Sequence, residues 1–382
     1  PVERYLANLG HGSGIPSDTI IKNLQTQTKI ALINPLFDWG GSGLPISAAF
    51  FSQTGTPNNG GIGLTYANCT FENPCGPTDF SQIGVNTLNI LLPNTLMLFN
   101  GGTYPATNGA GALILNNGQG VLGRVTDYSA PASGAARSQF NGAFILASNN
   151  TLDSIILNNT LGSAATAMTS AGGQSITINN TTIGSAAAPY GTALNLSNAR
   201  AVLTQSSANV SSQTGISLTR SSLTLQSSNI NLSNNNSSDS INGVTMNTNS
   251  SLTLDNSQLN VTTSNFSGVY STQGILIDGN STAALNNSQL KVINTSPVGS
   301  AEVFGIRVLN ASTGVINNSV ISITNSANQL AVGLAADANA SRMQMIGGSL
   351  NVSGGVASLL KNSPSITLAS VSCMLNGLAT PC

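Results

Sequence analysis

The sequence predicts an all-β chain wound into a parallel β-helix with three strands per coil. Three observations predict it: a phrase repeated along the second half, a glycine beat in step with it, and a composition almost free of charge. The phrase is an alternating strand, a small polar turn and a second alternating strand. It reads Leu223-Thr-Leu-Gln-Ser-Ser-Asn-Ile-Asn-Leu232, Leu252-Thr-Leu-Asp-Asn-Ser-Gln-Leu-Asn-Val261 and Ala283-Ala-Leu-Asn-Asn-Ser-Gln-Leu-Lys-Val292. Further copies start at Ser175, Gly314, Met343 and Ser365, and a weaker one runs from Ala201 to Val210. A fixed period of this length marks stacked units that bury their apolar faces against one another.

The second observation fixes the coil. Gly215, Gly243, Gly274, Gly305 and Gly333 each open a Gly-apolar-x-apolar phrase, at spacings of 28, 31, 31 and 28 residues. Leu225, Leu254, Leu285, Ile316 and Met345 keep step with them at 29, 31, 31 and 29. One coil therefore holds a Gly-Ile-x-Leu strand, a Leu-Thr-Leu strand and a Gln-Leu-Asn-Val strand. Alternation sends Leu, Ile and Val inward and Thr, Ser, Gln and Asn outward. Leu254, Leu285 and Ile316 are expected to stack in one row, and Ile275 and Ile306 in another. The Asn-Asn-Ser turns fit tight corners, because Asn tolerates the left-handed region and bonds its own backbone. Repetition of the same Asn one coil later also permits amide ladders.

The third observation is composition: 40% of residues are apolar, 6% charged and 4% aromatic. Ordinary domains carry about 25% charged residues. Disorder is excluded, since it needs high net charge and few apolar residues. The net charge is −1 and the eleven Lys and Arg are scattered, which leaves no stripe for nucleic acid. No run of 18 apolar residues is present, so no membrane-spanning helix is expected.

Along the chain, residues 1–60 form a lead segment with extended runs such as Thr28-Lys-Ile-Ala-Leu-Ile33 and a Gly- and Pro-rich stretch. Residues 61–112 are expected to be a cap with a helix and the first coil. Thr78 or Asp79 can start a helix over 77–91, with Phe80, Ile83, Leu88 and Leu91 on one face to cover the open end of the channel. The strand Leu96-Met-Leu-Phe99 follows. Residues 113–382 form the solenoid, with irregular first coils to about residue 160. The chain begins at Pro1 and not at Met, as a mature or excised piece would.

The four cysteines form two local pairs near the two ends of the array. Cys69 with Cys75, and Cys373 with Cys382, read as disulfide clasps, which implies an oxidising, extracellular compartment. The rival is a metal site. The spacings do not match metal-ligand patterns and the single histidine is His11, so neither metal nor cofactor is expected. Twenty Asn-x-Ser/Thr sequons run from Asn68 to Asn351, which a chain rich in Asn, Ser and Thr produces by composition alone.

Arg124, Asp127 and Arg137, with Tyr128 between them, form the one charged cluster, in a long loop. It reads as a structural ion pair or a contact for glycans. Enzymatic work on polysaccharides needs paired carboxylates or a Ca²⁺ cluster. Across the regular coils Asp239, Asp255, Asp278, Glu302 and Asp337 stand singly, with Asp255 aligned on Asn286. A Ser-His-Asp set is not expected with only His11. An enzyme is therefore not the expectation; a polysaccharide-active enzyme or glycan-binding module is the alternative.

Two sets of residues carry a resemblance. Asn68-Cys-Thr-Phe-Glu-Asn-Pro-Cys75, the helix after it and Phe99-Asn-Gly-Gly-Thr-Tyr104 resemble the opening of pectate-lyase-like right-handed β-helices. The run Leu113 to Ala132, then Gly142 to Ile155, with the lead Pro1-Val-Glu-Arg-Tyr-Leu-Ala-Asn-Leu-Gly10, resembles the passenger region of inverse-autotransporter-type surface proteins of Gram-negative bacteria. The resemblance covers roughly residues 1–160. It implies a right-handed helix, export and display on the bacterial surface, with release left open, and no particular ligand; the function expected of such a rod is to project from the cell, adhere or build extracellular fibres. An uncharged solenoid with exposed end strands is also expected to self-associate, head to tail or laterally, with residues 1–60 as a contact.

Overall fold

In the computed structural model the alternating segments become short strands stacked in register, coil upon coil. It describes residues 47–55, 69, 74–80, 93–107, 111–126, 128, 130–132, 134–235, 239–264, 271–296, 302–337, 340–361 and 363–382. One coil runs through the strands Ser222–Gln226, Asn229–Asn234 and Ile241–Asn247, then returns to Ser251–Asp255 on top of the first. Three faces result. The first holds twelve strands, from Ser47–Ser52 to Ile366–Ala369. Between coils every pairing is parallel, so the chain is a right-handed parallel β-helix, the hand being that of parallel crossovers generally.

The second and third faces form a single continuous sheet of twenty strands, not two. The strands Val320–Ala336 and Ser349–Lys361 run straight through the corner between them. A register shift between Asn325 and Leu330 absorbs the bend. The stack also begins earlier than the repeats suggest: Ser47–Ser52 lies in register on Thr95–Asn100, and Thr103–Ala106 already belongs to the second face.

The core is made of rows. Leu254 lies over Leu285 and Leu285 over Ile316 on the first face. Ile275, Ile306 and Leu334 make a row on the third. All are buried. Each such side chain contributes about 1.5–3 kcal/mol on burial, and its contacts come from its own coil and the coils directly above and below.

The glycine beat has a steric cause. A Cβ on Gly274 would lie 2.6 Å from the carbonyl oxygen of Gly305 in the next coil, and Gly215 and Gly243 face the same obstacle. The row ends at Gly333, which stacks beside Leu359 of the last coil. Leucine is tolerated there because no further strand lies over it: residues 356–361 pair only with residues 330–335.

Asn-Asn-Ser resolves into three jobs. The first Asn ends a strand and joins an amide ladder, as when Asn317 Nδ2 donates to Asn286 Oδ1 at 3.0 Å. The second takes a left-handed backbone, with φ of 45–49° at Asn180, Asn256 and Asn287. The Ser turns inward. Ser206, Ser228, Ser257, Ser288 and Ser319 form a buried column in which each backbone N–H donates to the next coil's Oγ at 3.0–3.1 Å. A second column, Ser221, Ser250, Ser281 and Ser312, does the same at the corner between the third and first faces.

The amino-terminal end is capped, and at the carboxy-terminal end the second face is covered. At the amino-terminal end Phe51 stacks on Phe99 with centroids 4.7 Å apart, and Phe80 meets Phe99 edge-on at 4.8 Å. Phe80 belongs to the helical residues 77–80; the rest of the helix expected over 77–91 lies outside the described residues. Cys69 and Cys75 are bonded, and both bond the free edge of the first strand: Phe50 N–H donates to Cys69 O and Ser52 N–H to Cys75 O. At the other end Cys373 and Cys382 are bonded. They hold Leu378–Ala379 antiparallel against Ser372–Leu375.

Candidate functional site

The charged loop begins where Gly120–Arg124 ends and closes where Ser138–Gly142 begins. Its four expected residues do not form one cluster. Arg124 lies at the strand end and its guanidinium pairs with Asp153 at 2.7 Å, one coil on. Asp127 lies outside the described residues. Tyr128 crosses back to the first strand, where its hydroxyl donates to Phe51 O at 3.2 Å and its ring meets Phe50 edge-on at 4.9 Å. Arg137 reaches forward, donating to Asn180 O at 2.6 Å and Thr182 Oγ1 at 2.7 Å. The loop is thus a strap pinned to the strand before it and the coils after it.

Burial sets the electrostatics of the strap. Desolvation pushes the Tyr128 phenol up to about 12, opposed by a hydrogen bond with Asn100. It lowers the Arg137 guanidinium from its ordinary value. Under the strap, residues 131, 132 and 134–137 and the corner residues Asn180, Gln205 and Ser227 bound an open groove of about 740 Å³. Half of its lining is Ala, Gly and Pro, and the donors of Arg137 that face Asn180 and Thr182 are already engaged.

Most carboxylates elsewhere meet neutral partners, and Glu302 meets a cation. Asp255 aligns with Asn286, as the repeat predicts. Asn310 stands between two acids: its side-chain amide donates to Asp278 at 2.6 Å and its backbone N–H to Asp337 at 2.9 Å. Glu302 meets Lys361 at 4.0 Å, and Lys361 and Arg307 both lie over the Phe304 ring, at 5.5 and 5.1 Å from its centroid. Among the described residues no group of three or more His, Cys, Asp or Glu could hold a metal ion. No helix there is long and apolar enough to cross a membrane. Sequence reading missed Asp153 as the partner of Arg124. Its signal is the single-coil spacing, obscured because the first coils depart from the repeat.

No family model, curated protein or solved structure matches this chain.

Proposed function

We propose that the chain is an extracellular structural and adhesive β-solenoid, displayed on a bacterial surface or released from it, which associates laterally with its own copies. The observation that supports this best is the stack itself: a twelve-strand face in register from coil to coil, with the four cysteines bonded in clasps near its two ends. Such bonds persist in oxidising surroundings. The carboxylates are dispersed and bonded to amides, which suits a scaffold better than an acid–base pair. The capped amino-terminal end, with Leu378–Ala379 laid across the second face at the other, favours lateral over axial contact. The outward row Thr177, Val202, Thr224, Thr253, Ala284 and Val315 is uncharged, so little repels a neighbour laid alongside.

Immunogold labelling of intact cells, with thiol quantification of the released chain, tests the reading. Label on the surface or in the medium, with no free thiol, is expected. Chain confined to the cytoplasm in reduced form would overturn it.

A further inference from the structure

We propose that the carboxy-terminal part of the first face binds the terminal residue of an acidic, N-acetylated sugar chain. The strands Thr313–Asn317, Arg342–Ile346 and Ile366–Ala369 floor a groove of about 590 Å³, with Ala340 and Pro364 at its rim. Thr313 lies beside Arg342, and Val315, Gln344 and Thr367 form one outward row. Arg342 is exposed and its guanidinium has no ion-pair or hydrogen-bond partner among the described residues. No carboxylate lines the groove.

Ser341, behind the groove, is 1% exposed and stands where the corner column of serines should continue. Ser281 N–H donates to Ser312 Oγ, but Ser312 N–H turns to Leu309 O at 3.2 Å, so the column stops short of Ser341. Its hydroxyl is sealed from solvent and out of a ligand's reach, which leaves recognition to the outward side chains Thr313, Arg342, Gln344 and Thr367.

The donors define the ligand. A free guanidinium grips a planar carboxylate through two parallel N–H bonds. Arg342 and Gln344 sit two residues apart on the same side of a strand, about 6.6 Å. That span is the width of one pyranose ring bearing a carboxylate on one side and an acetamido group on the other. The Gln344 amide meets the acetamido group, and Val315, its neighbour across the ladder, receives the methyl. The hydroxyls of Thr313, Ser365 and Thr367 supply partners for the sugar's own. A single cation suits a terminal residue, not a polyanionic strand.

Calorimetry on the full chain with sialyllactose, lactose and galacturonate as probes tests this. Sialyllactose should bind at least 10-fold more tightly than either of the others. Arg342→Lys should weaken it at least 10-fold. Gln344→Ala should weaken it several-fold with no fall in melting temperature. Equal affinity for lactose would reduce the site to a neutral-sugar contact, and preference for galacturonate would contradict the acetamido assignment. No binding of any probe, or unchanged affinity in Arg342→Lys, would overturn the site. The site shares Val315 with the outward row assigned to lateral association, whereas Arg342 lies on a different row, so Arg342→Lys should leave sedimentation unchanged whatever it does to sugar affinity.

Discussion

Ser257 accepts from Ser228 N–H through its hydroxyl oxygen at 3.1 Å, while the hydroxyl donates to Asp255 O at 2.9 Å. Ser257→Ala would strand the Ser228 N–H in a buried corner, at a cost of about 1–3 kcal/mol. Denaturant unfolding should report a loss in that range, and a change near zero would remove the serine column as a source of stability. The phenols make a second prediction. Tyr104, Tyr128 and Tyr190 all have folded-state pKa values raised chiefly by desolvation, Tyr128 to about 12. Their unfolded value is about 10. A raised pKa means the fold prefers the neutral form, so this contribution to stability is complete below about pH 10 and is lost as pH rises through the folded values. In an absorbance titration these three should stay protonated near pH 10, and tyrosinate formation at all of them with unchanged circular dichroism would contradict the burial described. At this scale the sequence was partly readable. The left-handed Asn positions followed from Asn chemistry, whereas spacing alone cannot tell that the Ser after them turns inward.

Among elements, the corners and ends decide what can be added to the stack. Gly215, Gly243, Gly274, Gly305 and Gly333 stand where a side chain would strike the next coil, and Leu359 occupies that row where the coils stop. Leu359 packs against the core and bars a further strand, while Leu378–Ala379 runs antiparallel across the second face and bars another. Leu359→Gly combined with removal of residues 376–382 should therefore open the end. Sedimentation should then show end-to-end oligomers absent from the unaltered chain, and identical profiles would mean that neither feature terminates the stack. The glycine beat was legible because it recurs in every coil. Its terminator was not, because one leucine in an apolar strand looks like any other. Nor was the amino-terminal aromatic cluster, whose members Phe51, Phe80, Phe99 and Phe140 are scattered in sequence and converge only when the first coils close.

For the whole molecule, the period of the repeat fixed the architecture, since both beats advance by one coil together. The charged residues gave less. Arg124, Tyr128 and Arg137 read as one cluster because they are close in sequence, yet each is pinned to a different coil. The central claim is that sequence distance converts to height at one coil per repeat along a straight stack. Spin labels on the outward row of the first face test it directly. From Thr177 to Val315 the row advances five coils, through Val202, Thr224, Thr253 and Ala284. Gln344 and Thr367 add two more. At about 4.8 Å per coil, the backbone separations are about 24 Å for Thr177–Val315 and about 34 Å for Thr177–Thr367. Double electron–electron resonance should return narrow distributions whose difference is about 10 Å. Equal distances for the two pairs, or a shorter one for the second, would contradict the stacked coil.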